Sequence, residues 1–192
     1  MDLHQGYAFT LHQTPVVALA QALLWLPQSK TVVASDLHFE KGSAFAASGV
    51  LLPPFDTAET LSRLEDALTR LHPERFIALG DSFNDIQAGT RLHSDDKQSL
   101  LRISRSVSTV WIEGNHDPEV PAWLDGLRCA TLLHDGLIFT HEPTGHRAGE
   151  VAGHLHPCAR ISGVSGRSLR RRCFVSDGRT LIMPALDRKS VV

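Results

Sequence analysis

The chain has little cysteine, almost no net charge and no long apolar run, and each shortage excludes a class of protein. Its three cysteines, Cys129, Cys158 and Cys173, form no CxxC pair, which argues against a disulfide framework and favours a reduced, cytoplasmic setting. A net charge of -2 gives no global attraction to nucleic acid or to anionic lipid. The most apolar stretch, residues 16–26, is too short to cross a bilayer and contains Gln21, so we expect no membrane association.

What is present is the pattern of a layered α/β protein. The 192 residues, 42% of them hydrophobic, predict a single domain over 1–192. A leucine period predicts a helix within 55–73, begun by a capping box of Asp56 and Glu59, and a second helix is predicted at 95–105. Short apolar runs predict buried strands at 16–18, 22–26, 31–34, 76–79, 108–112, 130–133, 137–140, 151–152, 171–175 and 180–183. Strands alternating with helices and hairpins indicate a mixed sheet.

Five of these apolar runs end in side chains that can bind a metal ion or move a proton. In α/β sheets, ligands bind beyond the carboxyl ends of the strands, so we expect these side chains to share one crevice. Most of them follow a glycine closely, as Asp81 follows Gly80, and a glycine lets the backbone turn sharply. The predicted set is Asp36, His38, Asp81, Asn115, His116, His141, His154 and His156.

Carboxylate, imidazole and amide donors without thiolate suit a divalent ion such as manganese, iron, zinc or cobalt. Without His116, the set contains seven ligands, which are too many for one tetrahedral ion. They therefore predict two ions that share Asp81. Such a pair of divalent ions keeps a net positive charge when Asp36, Asp81 and a bridging hydroxide surround it. This charge attracts a phosphate ester, and the hydroxide can attack phosphorus.

In this interpretation, three residues of the turn "GNHD" at 114–117 have different roles. Asn115 is expected to bind a metal ion, and His116 is then expected at the rim of the site. There it can hydrogen-bond a phosphoryl oxygen or protonate the leaving group. Asp117 is expected to brace the turn. His116 and Asp117 are therefore the predicted catalytic pair.

The ordered motifs resemble those of the calcineurin-like metallophosphoesterases: D-x-H, G-D, G-N-H-D, a single histidine and G-H-x-H, between residues 36 and 156. The resemblance implies a four-layer α/β/β/α sandwich of two mixed sheets. It implies one metal site of Asp36, His38, Asp81 and His156. It implies a second metal site of Asp81, Asn115, His141 and His154.

A narrower resemblance comes from "ASDLHFEKGSAFAASG" at 34–49 and the "LIMPA" ending, which are similar to bacterial ligase-associated DNA damage response endonucleases. It implies a role in DNA repair beside a DNA ligase and a helicase. One position departs from the pattern, because related repair nucleases often carry a histidine where this chain has Asn84. An amide can orient a phosphate but cannot supply a proton.

The arginine-rich stretch at 166–173 has two interpretations, a phosphate contact or a solvated strand face. We name Asn84, Arg170 and Arg172 as predicted substrate contacts. The chain after His156 is short, so we expect no cap domain, and an open crevice favours a polymer over a small molecule.

The predicted function is a manganese-dependent phosphodiesterase or nuclease acting on nucleic acid, with iron or zinc as alternative metals. A small-molecule phosphodiesterase or phosphomonoesterase remains an alternative, as does a non-catalytic scaffold of the same fold. A homo-oligomer is also compatible with the sequence.

Overall fold

The computed structural model describes residues 6–50, 55–162 and 168–187. Its strands form two large mixed sheets and one separate hairpin. The first sheet follows chain order and contains β1 (Gly6–Leu11), β2 (Thr14–Leu19), β3 (Leu23–Leu26), β4 (Thr31–Ala34), β5 (Arg75–Leu79), β6 (Ser108–Ile112) and β7 (Leu127–Cys129). Strands β1 to β4 pair antiparallel, whereas β4 to β7 pair parallel.

The second sheet has the spatial order β13-β14-β10-β9-β8. Its strands are β8 (Thr131–His134), β9 (Leu137–Thr140), β10 (Glu150–Ala152), β13 (Val175–Ser176) and β14 (Thr180–Ile182). Strands β9, β10 and β14 run parallel. The separate hairpin consists of β11 (Cys158–Ser162) and β12 (Ser168–Arg172).

Four helices complete the described chain: α1 (Lys41–Ala47), α2 (Asp56–Leu71), α3 (Ala88–Arg91) and α4 (Ser94–Ser106). The predicted helices are α2 and α4, and both are confirmed. The predicted capping box is wrong. The N-cap position of α2 is Phe55 rather than Asp56, and the Asp56 carboxylate accepts the backbone N–H of Gly42 of α1 at 2.8 Å.

Alternation along the strands divides the core into two layers, since successive strand residues face opposite sides of a sheet. Val32 and Phe76 face the helices, in a cluster that includes Leu64 of α2. Val33 and Ile77 face the second sheet. Each of these side chains is fully buried, which stabilises the fold by roughly 1.5–3 kcal/mol per residue.

The predicted α/β class with two mixed sheets is confirmed. The buried apolar residues of the helices all belong to the cluster against the first sheet, so the described residues form three layers, α/β/β. The fourth, helical layer of the predicted sandwich is not found among them, because the described chain beyond Ser106 supplies only strands. No helix in the described residues is long and apolar enough to cross a membrane. The single domain over 1–192 stays a prediction.

Candidate metal centre

The loops after β4 and β5 run side by side at the edge where the parallel strands end. His38 donates its backbone N–H to the carbonyl of Asp81 at 3.0 Å, and Phe39 donates to Ser82 at 2.8 Å. Phe39 and Phe83 form an isolated parallel bridge. These bonds hold the two loops in fixed register, so the side chains of Asp81 and His38 meet at the sheet edge.

The backbone around these side chains is strained. Five of the seven predicted metal ligands have left-handed φ values between 43° and 65°: Asp36, His38, Asp81, His154 and His156. A residue with a β-carbon rarely adopts this conformation, which costs about 1–3 kcal/mol per residue and is concentrated at functional sites. Seven other non-glycine residues of the described chain, Lys30 and Asp135 among them, share this conformation, so the convergence of donor atoms, rather than the strain, identifies the site.

A first set of donors consists of Asp36, His38 and His156, whose ligand atoms lie within 4.8 Å of one another. The Nε2 atom of His156 is 3.0 Å from Oδ1 of Asp36. Asp36 is fully buried and also accepts the backbone N–H of His154 at 3.2 Å. Gly153 allows this approach, because a β-carbon there would lie 1.9 Å from Oγ of Ser35.

A second set consists of Asp81, His141 and His154, which also lie within 4.8 Å of one another. The amide oxygen of Asn115 completes it, at 3.0 Å from Nε2 of His141 and 2.9 Å from Nδ1 of His154. The other ring nitrogen of His141 lies 3.2 Å from the carbonyl oxygen of Leu79. That bond turns Nε2 toward the centre, as the outer bond of a metal-ligating histidine does.

Asp81 lies between the two sets. Its Oδ2 atom is 3.6 Å from Nε2 of His38 in the first set and 3.3 Å from Nε2 of His141 in the second. Its Oδ1 atom accepts the backbone N–H of His116 at 2.9 Å. Gly114 makes room for this arrangement, because a β-carbon there would lie 2.2 Å from the backbone nitrogen of Asp81. A ligand shared by two metal ions would lie where Asp81 lies.

The pKa values reflect this crowding of carboxylates and imidazoles. Burial raises the pKa of Asp81, but its bonds to His141, His38 and the His116 backbone outweigh burial and hold that pKa well below its usual range. Burial lowers the pKa of His38, yet Asp187 and Asp81 together raise it to about 9. Asp81 likewise raises the pKa of His141 against the effect of burial.

His116 lies at the rim, with half of its side chain exposed. Its Nδ1 atom is 3.1 Å from the carbonyl oxygen of Asn84, so Nδ1–H donates to that carbonyl. Its Nε2 atom faces the centre, at 4.0 Å from Oδ2 of Asp81. The catalytic role of His116 stays a prediction. The backbone carbonyl of Asn84, rather than its side chain, orients the ring.

Asp117 is buried and does not reach the crevice. Its Oδ2 atom accepts the backbone N–H of Phe83 at 2.9 Å, which ties the "GNHD" turn to the loop after β5. Burial, with the nearby charge of Asp81, raises the pKa of Asp117 to about 7. The geometry gives Asp117 the bracing role, and we therefore regard it as a positioning residue.

The three predicted substrate contacts have different environments. Asn84 is half-buried, and Arg170 is exposed on β12. Arg172 contradicts the prediction. Its Nη1 atom donates to the carbonyls of Ala185, Leu186 and Asp187 at 2.6–2.9 Å, so this guanidinium braces the end of the described chain instead of facing a substrate.

Asp187 is the residue that sequence reasoning missed. Its Oδ2 atom lies 3.0 Å from Nδ1 of His38 and 3.1 Å from Nζ of Lys41, and the residue is buried. A carboxylate on the outer nitrogen of a ligating histidine fixes the ring and its tautomer. The only local signal was an aspartate near the "LIMPA" ending, and nothing in its spacing connects it with His38.

The donors fit a divalent metal. They comprise nitrogen and oxygen atoms from side chains, and such donors suit borderline divalent ions. Besides the two sets, His116 also offers a ligand atom within 4.8 Å of those of His38 and Asp81. His38 and His141 each have an outer partner that directs Nε2 inward. The described residues can therefore bind a divalent metal ion at this edge of the sheet.

The chain matches no protein-family model and no curated protein sequence. Its structure is similar to that of a nuclease from Pseudomonas putida called MPE, with a TM-score of 0.75 and 25% sequence identity over 95% of this chain and 88% of the other. It also aligns with YfcE, a phosphoesterase from E. coli, at 18% identity over 81% and 79% of the two chains. The TM-score of that second pair is 0.44, too low to bear on function.

The similarity to the nuclease confirms the resemblance to calcineurin-like metallophosphoesterases that the motifs predicted. It also confirms the prediction of a metal-dependent phosphoester hydrolase.

Proposed function

We propose that this metal-dependent phosphoester hydrolase is a phosphodiesterase that uses two metal ions to cleave nucleic acid. The observation that supports two ions is the position of Asp81, whose Oδ2 atom is 3.3–3.6 Å from a histidine of each donor set. Asp36, His38 and His156 would hold one ion with Asp81. A second donor set would hold the other, namely Asp81, Asn115, His141 and His154.

The bound cations would neutralise the phosphoryl oxygens and make a water molecule acidic enough to attack phosphorus near neutral pH. The protein orients this chemistry through its own bonds. The backbone N–H of His116 fixes one Asp81 oxygen, which leaves the other oxygen for the centre. Asp187 and the Leu79 carbonyl fix the rings of His38 and His141.

His116 would handle the proton. Because its Nδ1–H donates to the Asn84 carbonyl, its Nε2 atom faces the crevice. In the protonated ring, Nε2–H can donate to a phosphoryl oxygen or to the departing oxygen of the ester. The absence of a histidine at position 84 does not remove proton transfer, since His116 can supply it.

A nucleic-acid substrate is supported by three features. The rim is open, with Asn115, His116 and Leu155 exposed, so the crevice can admit a polymer. The segment 154–174 contains arginines but no acidic residue in a chain of net charge -2. The similar structure from Pseudomonas putida is that of a nuclease.

DNA repair beside a ligase and a helicase rests on the sequence resemblance alone, and manganese rests on the nitrogen and oxygen donors. A cytoplasmic location and a homo-oligomer also stay predictions.

A substrate panel tests the proposal. Purified protein with Mn²⁺ is offered bis-(p-nitrophenyl) phosphate, p-nitrophenyl phosphate, cyclic nucleotides and single-stranded DNA. We expect hydrolysis of the first and the last. Turnover restricted to the monoester or to cyclic nucleotides would favour the small-molecule alternative. If no phosphoester is cleaved and a protein partner is bound, the scaffold alternative is correct. The variant Asn115→Ala should lose metal, and His116→Ala should lose only turnover.

A further inference from the structure

A groove opens between the edge of the first sheet and the β11–β12 hairpin. It encloses about 660 Å³. Its walls and floor include Tyr7, Ala18, Ala20, Arg171, Phe174 and Pro184. Tyr7 and Ala18 face each other in the β1–β2 pair, whereas Arg171 belongs to the β11–β12 hairpin. The groove therefore joins the edge of the first sheet to the base of the arginine-rich hairpin.

Strand register places the groove on the same rim as the metal centre. Gly6 pairs with Leu19, Leu19 with Leu23, and Leu23 with Ala34, so these four residues form one row across the sheet. Asp36 follows two residues after Ala34. Strand β2 is two strands from β4, and β1, which carries Tyr7, is three strands from it; these separations are about 10 Å and about 14 Å. A chain bound at the metal centre could extend along this row into the groove.

The groove offers an aromatic face beside small residues. Tyr7 is the only tyrosine of the chain and is 74% exposed, although Phe9 and Leu11 on the same face of β1 are increasingly buried. The Tyr7 ring stacks on Phe9, with centroids 6.0 Å apart. Ala18 and Ala20 beside it leave the ring unobstructed. An exposed ring of this kind can stack on any nucleobase.

The hairpin adds positive charge. Arg160 and Arg170 are directly opposed across β11 and β12, and like charges in this arrangement destabilise a strand pair. Both are exposed, as is Arg171 on the other face. No acidic residue occurs in the segment 154–174 to compensate them. A bound polyanion would relieve this repulsion, and Arg171 brings the charge to the wall of the groove.

We propose that this groove binds the single-stranded segment that flanks the scissile phosphodiester, with a base on Tyr7 and the backbone along Arg171. The proposal rests on the proposed function and names the part of the substrate that the metal centre does not hold. The groove selects a polynucleotide over a small diester, because only the polymer reaches both places.

The experiment compares a long and a small substrate. Wild type, Tyr7→Ala and Arg171→Ala are assayed with Mn²⁺ on a single-stranded oligonucleotide and on bis-(p-nitrophenyl) phosphate. We expect Tyr7→Ala to lower kcat/KM on the oligonucleotide at least about fivefold, the effect of losing one stacked base. The small diester should be hydrolysed as by wild type. For Arg171→Ala, the salt dependence of oligonucleotide binding should fall by about 0.7 in log–log slope, one single-strand phosphate contact.

Matched controls separate specific contacts from general effects. Tyr7→Phe keeps the aromatic face and should retain oligonucleotide cleavage. Arg105→Ala removes another exposed arginine, on α4, and should leave the salt slope unchanged. Oligonucleotide cleavage that is equal in wild type and Tyr7→Ala would overturn the groove while the nuclease proposal survives. Wild type that cleaves the small diester but no oligonucleotide would instead refute the nuclease proposal.

Discussion

Histidines lie near both ends of the strands, and their neighbours differ between the two ends. At the starting edge of β4 and β5, His134 lies 2.9 Å from the Thr31 hydroxyl and 2.8 Å from the Arg75 guanidinium. At the opposite edge, His38 and His141 face the Asp81 carboxylate. Burial and Arg75 lower the pKa of His134 against the opposite effect of Asp135, whereas carboxylates raise the pKa of His38 and His141.

This difference shows that the neighbours of the histidines, rather than the number of histidines, identify the site. His134 has hydroxyl and guanidinium partners and one carboxylate nearby, that of Asp135 at 4.0 Å, and it belongs to no candidate donor group among the described residues. The histidines at the other end converge on shared carboxylates. The following predictions test whether one end performs chemistry while the other supports structure.

The largest effect is expected for Asp81→Asn. The variant keeps an oxygen for the backbone N–H of His116 but loses the charge that lies between the two donor sets. We expect loss of metal binding and a fall in kcat on the order of 1000-fold or more, because the charge stabilisation by the cations is lost. Metal content by mass spectrometry and hydrolysis of bis-(p-nitrophenyl) phosphate measure both effects. Full metal content with activity within tenfold of wild type would refute the shared role of Asp81.

His116→Ala is expected to have the next largest effect. Its side chain contacts the Asn84 carbonyl and is half exposed, so removal should leave the donor sets intact. We expect kcat to fall about 100-fold or more, the usual contribution of a general acid, with metal content unchanged. A variant that loses metal in proportion to activity would show that His116 is a structural residue or a ligand.

Asp187→Asn tests the outer partner of His38. The variant should weaken metal binding about 10- to 100-fold, as changes to such partners do, because the His38 ring is no longer fixed by a carboxylate. Titration with Mn²⁺ followed by calorimetry measures the affinity. The control is Asp177→Asn, an aspartate in the exposed turn before β14. Equal affinity in wild type and Asp187→Asn would contradict the assigned role.

The variant Asp187→Asn also tests whether the stability of the metal-free protein depends on pH through His38. The pKa of His38 is raised to about 9 from 6.5, so the charged ring stabilises the fold fully below about pH 6.5, and this stabilisation is lost as pH rises through about 9. Asp187→Asn should therefore lower the free energy of unfolding by about 1–2 kcal/mol more at pH 6 than at pH 10. Urea unfolding in EDTA measures it. A loss that is the same at both pH values would show that the His38–Asp187 ion pair contributes little.

His134→Ala should have the smallest effect on activity. The change leaves Thr31 and Arg75 without their partner, so we expect a loss of about 1–3 kcal/mol in the free energy of unfolding. Hydrolysis of bis-(p-nitrophenyl) phosphate below the unfolding temperature should match wild type. A loss of turnover in folded His134→Ala would remove the contrast between the two ends.

The candidate metal donors could be predicted because each follows a strand that is recognisable as a short apolar run. Asp81 after "FIAL" and His141 after "LIFT" follow the rule that ligands bind beyond the carboxyl ends of strands, although the two strands belong to different sheets. Helix α2 was equally legible from its leucines. In these cases local pattern and tertiary position agree.

Other features depend on contacts between distant parts of the chain. Asp187 reaches His38 because Arg172 binds the carbonyls of residues 185–187 and the backbone N–H groups of Leu186 and Asp187 donate to the carbonyls of Ser35 and Asp36. Strand alternation could not reveal that this arginine turns toward the backbone. The Asp56 carboxylate similarly meets Gly42 of α1. No spacing rule encodes such pairings.

The most direct test is the anomalous diffraction of crystals soaked in Mn²⁺. The account predicts two peaks about 3.5–4 Å apart, both within bonding distance of the Asp81 carboxylate, one beside His38 and the other beside His141. A single peak, or two peaks that do not share Asp81, would contradict it.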